Sequence, residues 1–243
     1  MERRGWIEVD FVFITGDAYV DHPSFANAVI PRVLEGKGYR VGVIAQPDWR
    51  SLEDFLVLGR PRLGVLVSAG NLDSMLSHFT AAKRPRRDDP YSPGGRAGGR
   101  PQRATVVYCN RAREAWKDVP LIIGGVEASL RRFAHYDYWS DSVRRSILVD
   151  SKADLLVFGM GEKPILEIAE ALSGGTPPDR IRDVRGTCYR SKAESLPPEA
   201  VVLPPFEVVT GDRGAFAEAF RLQQGEQDPF RGRPVVQDQG AWY

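Results

Sequence analysis

Short apolar segments with the length of buried β-strands constrain the fold of this chain more than any other feature. Five of them, each three to five residues long, begin at Phe11, Val41, Leu63, Leu121 and Leu155. Four of the five are followed at once by glycine or small polar residues. Near-continuous apolar runs are typical of parallel strands that are buried on both faces. The sequence therefore predicts a parallel sheet at the centre of the molecule.

Helical patterns occupy the stretches between these strands. One amphipathic helix is predicted after the first strand, opened by Pro23 and closed by Gly36 or Gly38. Pro31 falls inside this pattern, where proline kinks a helix or removes a hydrogen bond. Another helix fits residues 163–172. Strands alternating with helices predict an α/β fold with a doubly wound, mostly parallel, Rossmann-like sheet.

Composition excludes several classes of protein. With 243 residues, the chain is long enough for one large α/β domain or a domain with an extension. A net charge of +1 gives no global reason to bind nucleic acid or an anionic membrane. Two distant cysteines, Cys109 and Cys188, exclude a disulfide framework and a cysteine-cluster metal site, so no metal ligands are predicted. The absence of an apolar leader or a bilayer-length apolar run favours a cytoplasmic protein without a membrane partner.

Two regions depart from the alternating pattern. Residues 83–103 are rich in glycine and proline and carry seven basic and two acidic residues, so they are predicted to form a long basic, mobile or functional loop. The apolar rhythm also weakens from Thr176 onwards, although a short helix fits residues 214–224. We therefore expect a domain over residues 1–210 and an irregular C-terminal extension over residues 211–243 that leads toward a further domain.

The carboxyl ends of the predicted strands form the candidate site. Parallel strands bind ligands beyond these ends, and the segments 15–17, 70–71, 124–125 and 159–162 would converge there. Glycine admits close backbone approach, and helix N-termini offer free N–H groups to an anion. Tight turns also select glycine without any ligand. With four such clusters on one edge, a ligand site and a set of ligand-free turns are equally good interpretations.

Three histidines raise the question of a metal site. His22, in the polar segment 17–23, could ligate a metal, transfer a proton or contact a cofactor, or it could simply pair with Asp21 near a helix start. His78 and His135 share no local spacing with it, so a structural zinc site is not predicted.

Aromatic and basic side chains suggest two further sites. Residues 127–132 and 135–141 interleave polar and aromatic side chains, which suits a planar ligand or an exposed base, or equally the anchoring of a surface loop. The arginines of the loop lie near Tyr91 and would suit contact with RNA, although a solvated loop is the commoner outcome of such a charge run. These arginines are Arg84, Arg86, Arg87, Arg96, Arg100 and Arg103.

Longer motifs make the chain recognisable. They are Gly16–Phe25 (GDAYVDHPSF), Val43–Trp49 (VIAQPDW), Ser68–Met75 (SAGNLDSM), Gly124–Arg132 (GGVEASLRR) and His135–Asp141 (HYDYWSD). Together they resemble the N-terminal domain of the YgiQ-type radical SAM family, and the resemblance extends over nearly the whole chain. It implies a cobalamin-binding-like Rossmann domain that precedes a radical SAM core, with a diglycine after one strand and Gly-x-Gly-Glu after the next.

The resemblance also implies an activity for a longer protein. Such a protein would hold a 4Fe-4S cluster through CxxxCxxC, cleave SAM reductively and act on an unknown substrate. This chain lacks that motif and stops before the core, so we expect it to carry no cofactor and to be inactive alone. DxHxxG is absent as well, which argues against cobalamin ligated by His22 and favours a histidine-independent mode or no cobalamin.

The resemblance places the candidate residues for cofactor or substrate around one crevice, and no catalytic residue is assigned. They are Asp17, Tyr19, Asp21, His22, Asn71, Asp73, Gly124, Gly125, Glu127, Arg131, His135, Gly159, Gly161 and Glu162. Two alternatives stay open at this point. One is a stand-alone cobalamin- or nucleotide-binding module, and the other is a domain that contacts RNA through the basic loop.

Overall fold

The computed structural model describes residues 1–243. Its strands are β1 (Phe11–Thr15), β2 (Val41–Ala45), β3 (Gly64–Ser68), β4 (Leu121–Gly124), β5 (His135–Asp137), β6 (Ser142–Arg144), β7 (Leu155–Val157), β8 (Thr187–Tyr189), β9 (Val201–Leu203) and β10 (Val235–Gln237). Its α-helices are α1 (Ala26–Glu35), α2 (Glu53–Leu56), α3 (Ser74–His78), α4 (Ala104–Ala115), α5 (Gly125–Leu130), α6 (Ile147–Asp150), α7 (Glu162–Ser173), α8 (Phe206–Gly211) and α9 (Arg213–Gly225).

The five predicted strands form most of a six-stranded sheet with the order β2-β1-β3-β4-β7-β8. Every neighbouring pair is parallel except β7 and β8, which are antiparallel. Thr15 is in register with Ser68, and Ser68 with Gly124, so the carboxyl ends of three strands are level. The strand order reverses between β1 and β3, which creates a topological switch point. The predicted doubly wound, mostly parallel α/β fold is confirmed.

Alternation along each strand divides the core between the two faces of the sheet. In β1, Val12 and Ile14 point to the face covered by α4, whereas Phe11 and Phe13 point to the face covered by α1 and α7. β3 and β4 divide their side chains in the same way. Side chains of a strand alternate with a period of two, so apolar residues at every position require cover on both faces. The result is a layer of helices on each side of the sheet.

The two helices predicted on the sequence are present, with one change of boundary. The predicted helix at 163–172 corresponds to α7. The helix predicted to open at Pro23 instead begins at Ala26, because Phe25 is still extended. This helix, α1, continues past Pro31, whose ring removes the donor for the Asn27 carbonyl without ending the helix.

The C-terminal extension folds back onto the domain. The predicted helix at 214–224 corresponds to α9, and β10 pairs in parallel with β9. The Ala134 N–H donates to Gln237 Oε1 at 2.8 Å, and the Ser146 N–H donates to Gln239 Oε1 at 3.0 Å. The extension is therefore tied to both ends of the β5–β6 hairpin. A domain boundary at residue 210 stays a prediction.

None of the helices is long and apolar enough to cross a bilayer.

Candidate functional site

An apolar crevice opens at the carboxyl edge of the sheet, on the face covered by α1 and α7. Its volume is about 120 Å³. Ile30 of α1 and Ile165 of α7 form its sides, and the carboxyl ends of β1, β3, β4 and β7 form its floor. Four glycines predicted for the site line it, namely Gly124, Gly125, Gly159 and Gly161. The lining is mainly apolar, so the crevice suits an apolar group more than a charged one.

The glycines keep this crevice open for steric reasons. Gly125 has φ of +84°, and a Cβ there would lie 2.7 Å from Ser68 Oγ, so a side chain is excluded. A Cβ on Gly161 would meet only Ile30 and Val157 side chains at 3.5 Å, an ordinary contact distance. A larger side chain at Gly161 would therefore fill the crevice without disturbing the backbone around it.

A buried ion-pair network lies at the switch point between β1 and β3. The Arg100 side chain is 0% exposed and forms two hydrogen bonds with Asp89, Nε to Oδ2 at 2.9 Å and Nη2 to Oδ1 at 3.1 Å. Its Nη1 donates to the Ala69 carbonyl at 3.1 Å and lies 2.9 Å from Asp17 Oδ1. Asp17 also accepts the Asn71 N–H at 2.6 Å. The predicted residues Asp17 and Asn71 thus meet here, beside the crevice.

Asp17 and Arg100 oppose each other electrostatically. Burial raises the pKa of Asp17, and the Arg100 charge lowers it, with burial the larger effect. Two carboxylates share this one buried guanidinium, so the network is poor in positive charge. Its main structural effect is to attach the basic loop to the sheet.

That loop divides its arginines between the interior and the surface. Arg100 lies in the core, and Arg103 pairs with Asp137 at 2.5 Å. Arg86 Nε donates to the carbonyls of Leu76 and Phe79. The exposed arginines are Arg84, Arg86, Arg87 and Arg96. The interpretation of Arg100 as part of an RNA-contacting surface is wrong, since the residue is buried. The mobility of the loop stays a prediction.

Glu127 joins two helices to each other. Its Oε2 accepts the Ser74 N–H at 2.8 Å and the Ser74 hydroxyl at 2.5 Å, and its Oε1 accepts the Thr105 N–H at 3.0 Å. These donors belong to the first turns of α3 and α4, where backbone N–H groups lack helical partners. Asp73 caps α3 and pairs with Arg131. These contacts connect α3, α4 and α5. None of the three side chains, Glu127, Asp73 and Arg131, lines the crevice.

The remaining predicted residues lie apart from the crevice or on its rim. Tyr19, Asp21 and His22 are exposed in the loop before α1, where Asp21 pairs with Arg32 at 2.9 Å. Glu162 is the first residue of α7. His135 lies in β5, and burial lowers its pKa to about 4, so its ring is neutral at pH 7. The structure therefore separates the fourteen residues into a crevice, a switch-point network and peripheral groups.

The tautomer of His22 is unsuited to cobalt ligation through Nε2. The Ser24 N–H donates to His22 Nδ1 at 3.1 Å, which leaves the proton of the neutral ring on Nε2. A metal bound at Nε2 needs the opposite tautomer. The apolar crevice therefore fits an apolar part of cobalamin. His22, in the tautomer that this hydrogen bond favours, does not fit the cobalt ion.

The two cysteines do not fit an iron–sulfur cluster either. Cys109 is buried in α4 and Cys188 lies in β8, and burial raises the pKa of both thiols, to about 12 for Cys188. Cluster ligands are thiolates, and three must converge. No group of three or more histidine, cysteine or acidic side chains is placed to hold a metal ion.

Comparison with known proteins identifies the family. The model for the radical SAM N-terminal family matches residues 1–243. The chain belongs to the radical SAM N-terminal family. Among curated relatives, a UPF0313 protein of Geobacter sulfurreducens is 58% identical over 239 residues, and one of Clostridium perfringens is 56% identical over 244 residues. The resemblance drawn from the motifs is confirmed.

These relatives are much longer than the chain. The match spans 98% of this chain but 40% of the Geobacter protein, and 100% of this chain but 37% of the Clostridium protein. Among solved structures, this radical SAM N-terminal domain is similar to the radical SAM methyltransferase TsrM from Kitasatospora setae with cobalamin and a [4Fe-4S] cluster bound. The TM-score is 0.51 at 19% identity, over 76% of this chain and 28% of TsrM. That similarity supports the cobalamin-binding-like fold.

Proposed function

We propose that this chain is the N-terminal domain of a radical SAM enzyme, and that its crevice holds part of a substrate or cofactor for a C-terminal core. The observation that carries the proposal is the apolar, glycine-lined crevice at the carboxyl edge of the sheet. The family match over residues 1–243 and the greater length of the relatives support it. The core would supply the 4Fe-4S cluster and SAM, whose reductive cleavage is the chemistry of such enzymes.

In this proposal the residues of the chain bind and position, and they do not transfer electrons. The glycines give backbone access, Ile30 and Ile165 exclude water from an apolar group, and the Arg100 network holds the loop over the end of β1. Exclusion of water protects a reactive intermediate from side reactions. The apolar lining indicates a ligand with one apolar portion.

The test uses a longer polypeptide in which residues 1–243 are followed by the C-terminal remainder of the Geobacter relative. After anaerobic reconstitution with iron and sulfide, we expect 5′-deoxyadenosine to form from SAM under reducing conditions. The 243-residue chain treated identically is the control and should form none. A reconstituted longer polypeptide that binds iron and sulfide but yields no 5′-deoxyadenosine would contradict the proposal.

A second candidate is a ligand-binding module that works without the core, and the apolar crevice is the observation that favours it. Hydroxocobalamin and AMP are suitable probes, with binding to the 243-residue chain measured by equilibrium dialysis. If this candidate holds, one probe binds, and Gly161→Leu weakens binding at least tenfold because the side chain fills the crevice. Gly211→Leu, at an open position, is the matched control. Absence of binding by both probes counts against this candidate.

A further inference from the structure

Two neighbouring helices at the carboxyl edge bury polar residues and leave leucine and valine side chains exposed. In α5, Glu127 and Ala128 are buried, while Val126 and Leu130 are exposed. At α3, Ser74, Met75 and Ser77 are buried, while Leu72 and Leu76 are exposed. We call these four exposed residues, Leu72, Leu76, Val126 and Leu130, the leucine face. They are 39–67% exposed, although the large apolar residues of a surface helix usually face the core.

The fold fixes this orientation. Rotating α5 to bury Val126 and Leu130 would withdraw Glu127 from its hydrogen bonds with Ser74 and Thr105. Burying a carboxylate without partners costs more than an exposed leucine does. The ion pair between Asp73 and Arg131 connects the same two helices. The hydrogen-bonded polar network beneath the two helices therefore keeps the leucine face toward solvent. Rotation of either helix to bury this face would break that network.

The leucine face adjoins the crevice. α5 begins at Gly125, which lines the crevice, and Met160, between the lining glycines Gly159 and Gly161, is 80% exposed. Removing leucine and valine side chains from water is favourable. Several such side chains clustered beside a crevice mark an interaction surface more often than a free one.

We propose that the leucine face is the surface on which the C-terminal remainder of the longer polypeptide docks. This inference rests on the proposed function, since it assigns a partner to the same edge of the sheet. The relatives carry more than half of their length beyond the part that this chain matches. Gln237 and Gln239 accept the N–H groups of Ala134 and Ser146, on either side of the β5–β6 hairpin that follows α5, and Tyr243 pairs with Ser191 after β8. The part of the Clostridium relative outside the match is longer than this chain, which is long enough to reach the leucine face.

Hydrogen exchange measured by mass spectrometry tests the docking. The 243-residue chain is compared with the longer polypeptide that carries the Geobacter remainder. We expect amides of α3 and α5 to exchange at least tenfold more slowly in the longer polypeptide, because docking suppresses local opening. Amides of α9, which presents the exposed Phe220 on another part of the surface, should exchange at the same rate in both.

Two variants of the longer polypeptide sharpen the test. The double variant Leu76→Ser and Leu130→Ser should return α3 and α5 to the exchange rates of the 243-residue chain, whereas Phe220→Ser, the matched control, should leave the protection in place. Equal exchange of α3 and α5 in the two polypeptides overturns the proposal. So does a dimer of the 243-residue chain that the double variant abolishes, because a second copy is then the occupant.

The readouts separate this inference from the proposed function. Protection of α3 and α5 without formation of 5′-deoxyadenosine refutes radical chemistry and supports docking. Formation of 5′-deoxyadenosine without protection refutes the leucine face as the docking surface and leaves the proposed function standing.

Discussion

At the scale of single residues, Arg100 has the role that its sequence context least reveals. It lies in a run of arginines, which is typical of a solvated loop, yet its guanidinium is buried between Asp17 and Asp89. The sequence contained one relevant signal, since Asp17 directly follows a buried strand and a buried carboxylate needs a partner. It contained no information on which of several arginines would supply that partner, because this pairing is set by how residues 83–103 fold over the sheet.

Replacing Arg100 should be strongly destabilising. Arg100→Met keeps most of the side-chain volume but leaves two buried carboxylates without a counter-charge, so we expect a loss of about 3–5 kcal/mol in the free energy of unfolding. Urea denaturation followed by circular dichroism measures it. Arg96→Met, at an exposed residue of the same loop, is the control and should change stability by about 0.5 kcal/mol at most. Similar unfolding midpoints for the two variants would show that the network is not needed for stability.

Asp10 should make stability depend on pH in the acid range. Burial alone would raise its pKa, but hydrogen bonds from Arg40 and Arg62 outweigh burial and lower the pKa to about 2. Since the unfolded carboxyl titrates near 3.8, this stabilisation is complete above about pH 5 and is lost progressively as the pH falls toward 2. The shift corresponds to about 2 kcal/mol.

The variant Asp10→Asn isolates this contribution. Urea unfolding of both proteins at pH 7 and pH 3 should show a gap in stability that narrows at pH 3, because Asp10 of the unfolded wild-type chain takes up a proton there whereas folded Asp10 keeps its charge. A gap of the same size at both pH values would contradict the low pKa.

At the scale of elements, the sequence was informative wherever local pattern decides structure. All five strands and the helices α7 and α9 lie where the apolar patterns place them. The start of α1 was misplaced by three residues, because Pro23 is compatible with a helix start but Phe25 is extended. The orientation of α3 and α5 could not be predicted from the sequence. Glu127 is expected at the surface unless its partners Ser74 and Thr105 are known.

The turn after β3 provides a prediction at this scale. Gly70 has φ of +114°, and a Cβ there would overlap the carboxylate of Asp17. Gly70→Ala should therefore lower stability by at least about 2 kcal/mol, through backbone strain and displacement of the Arg100 network. Gly211→Ala meets no atom within 4 Å and should be neutral or slightly stabilising. Thermal unfolding compares them, and an unchanged melting temperature for Gly70→Ala would mean that the turn adjusts freely.

At the scale of the whole molecule, the sheet edge was predictable and the grouping of its residues was not. Parallel strands bring their carboxyl ends together, so the glycines of β4 and β7 had to meet. Which polar side chains join them depends on helix rotation and on the long loop. For this reason Gly124, Gly125, Gly159 and Gly161 line the crevice, while Glu127 and Arg131 serve the packing of α3 and α5.

Cluster binding should depend on residues outside this chain. Cys109 and Cys188 lie in separate elements, α4 and β8, and neither thiol is placed with two further ligands. Cluster ligation needs converging thiolates, so the 243-residue chain should show only trace iron and no charge-transfer absorbance after reconstitution.

The longer polypeptide with the Geobacter remainder should hold iron and sulfide in equal amounts. Cys109→Ala and Cys188→Ala together should leave that content unchanged, because these cysteines serve packing alone. A loss of iron in this double variant would place cluster ligands inside the N-terminal domain and would require its fold to open around α4, since Cys109 is fully buried.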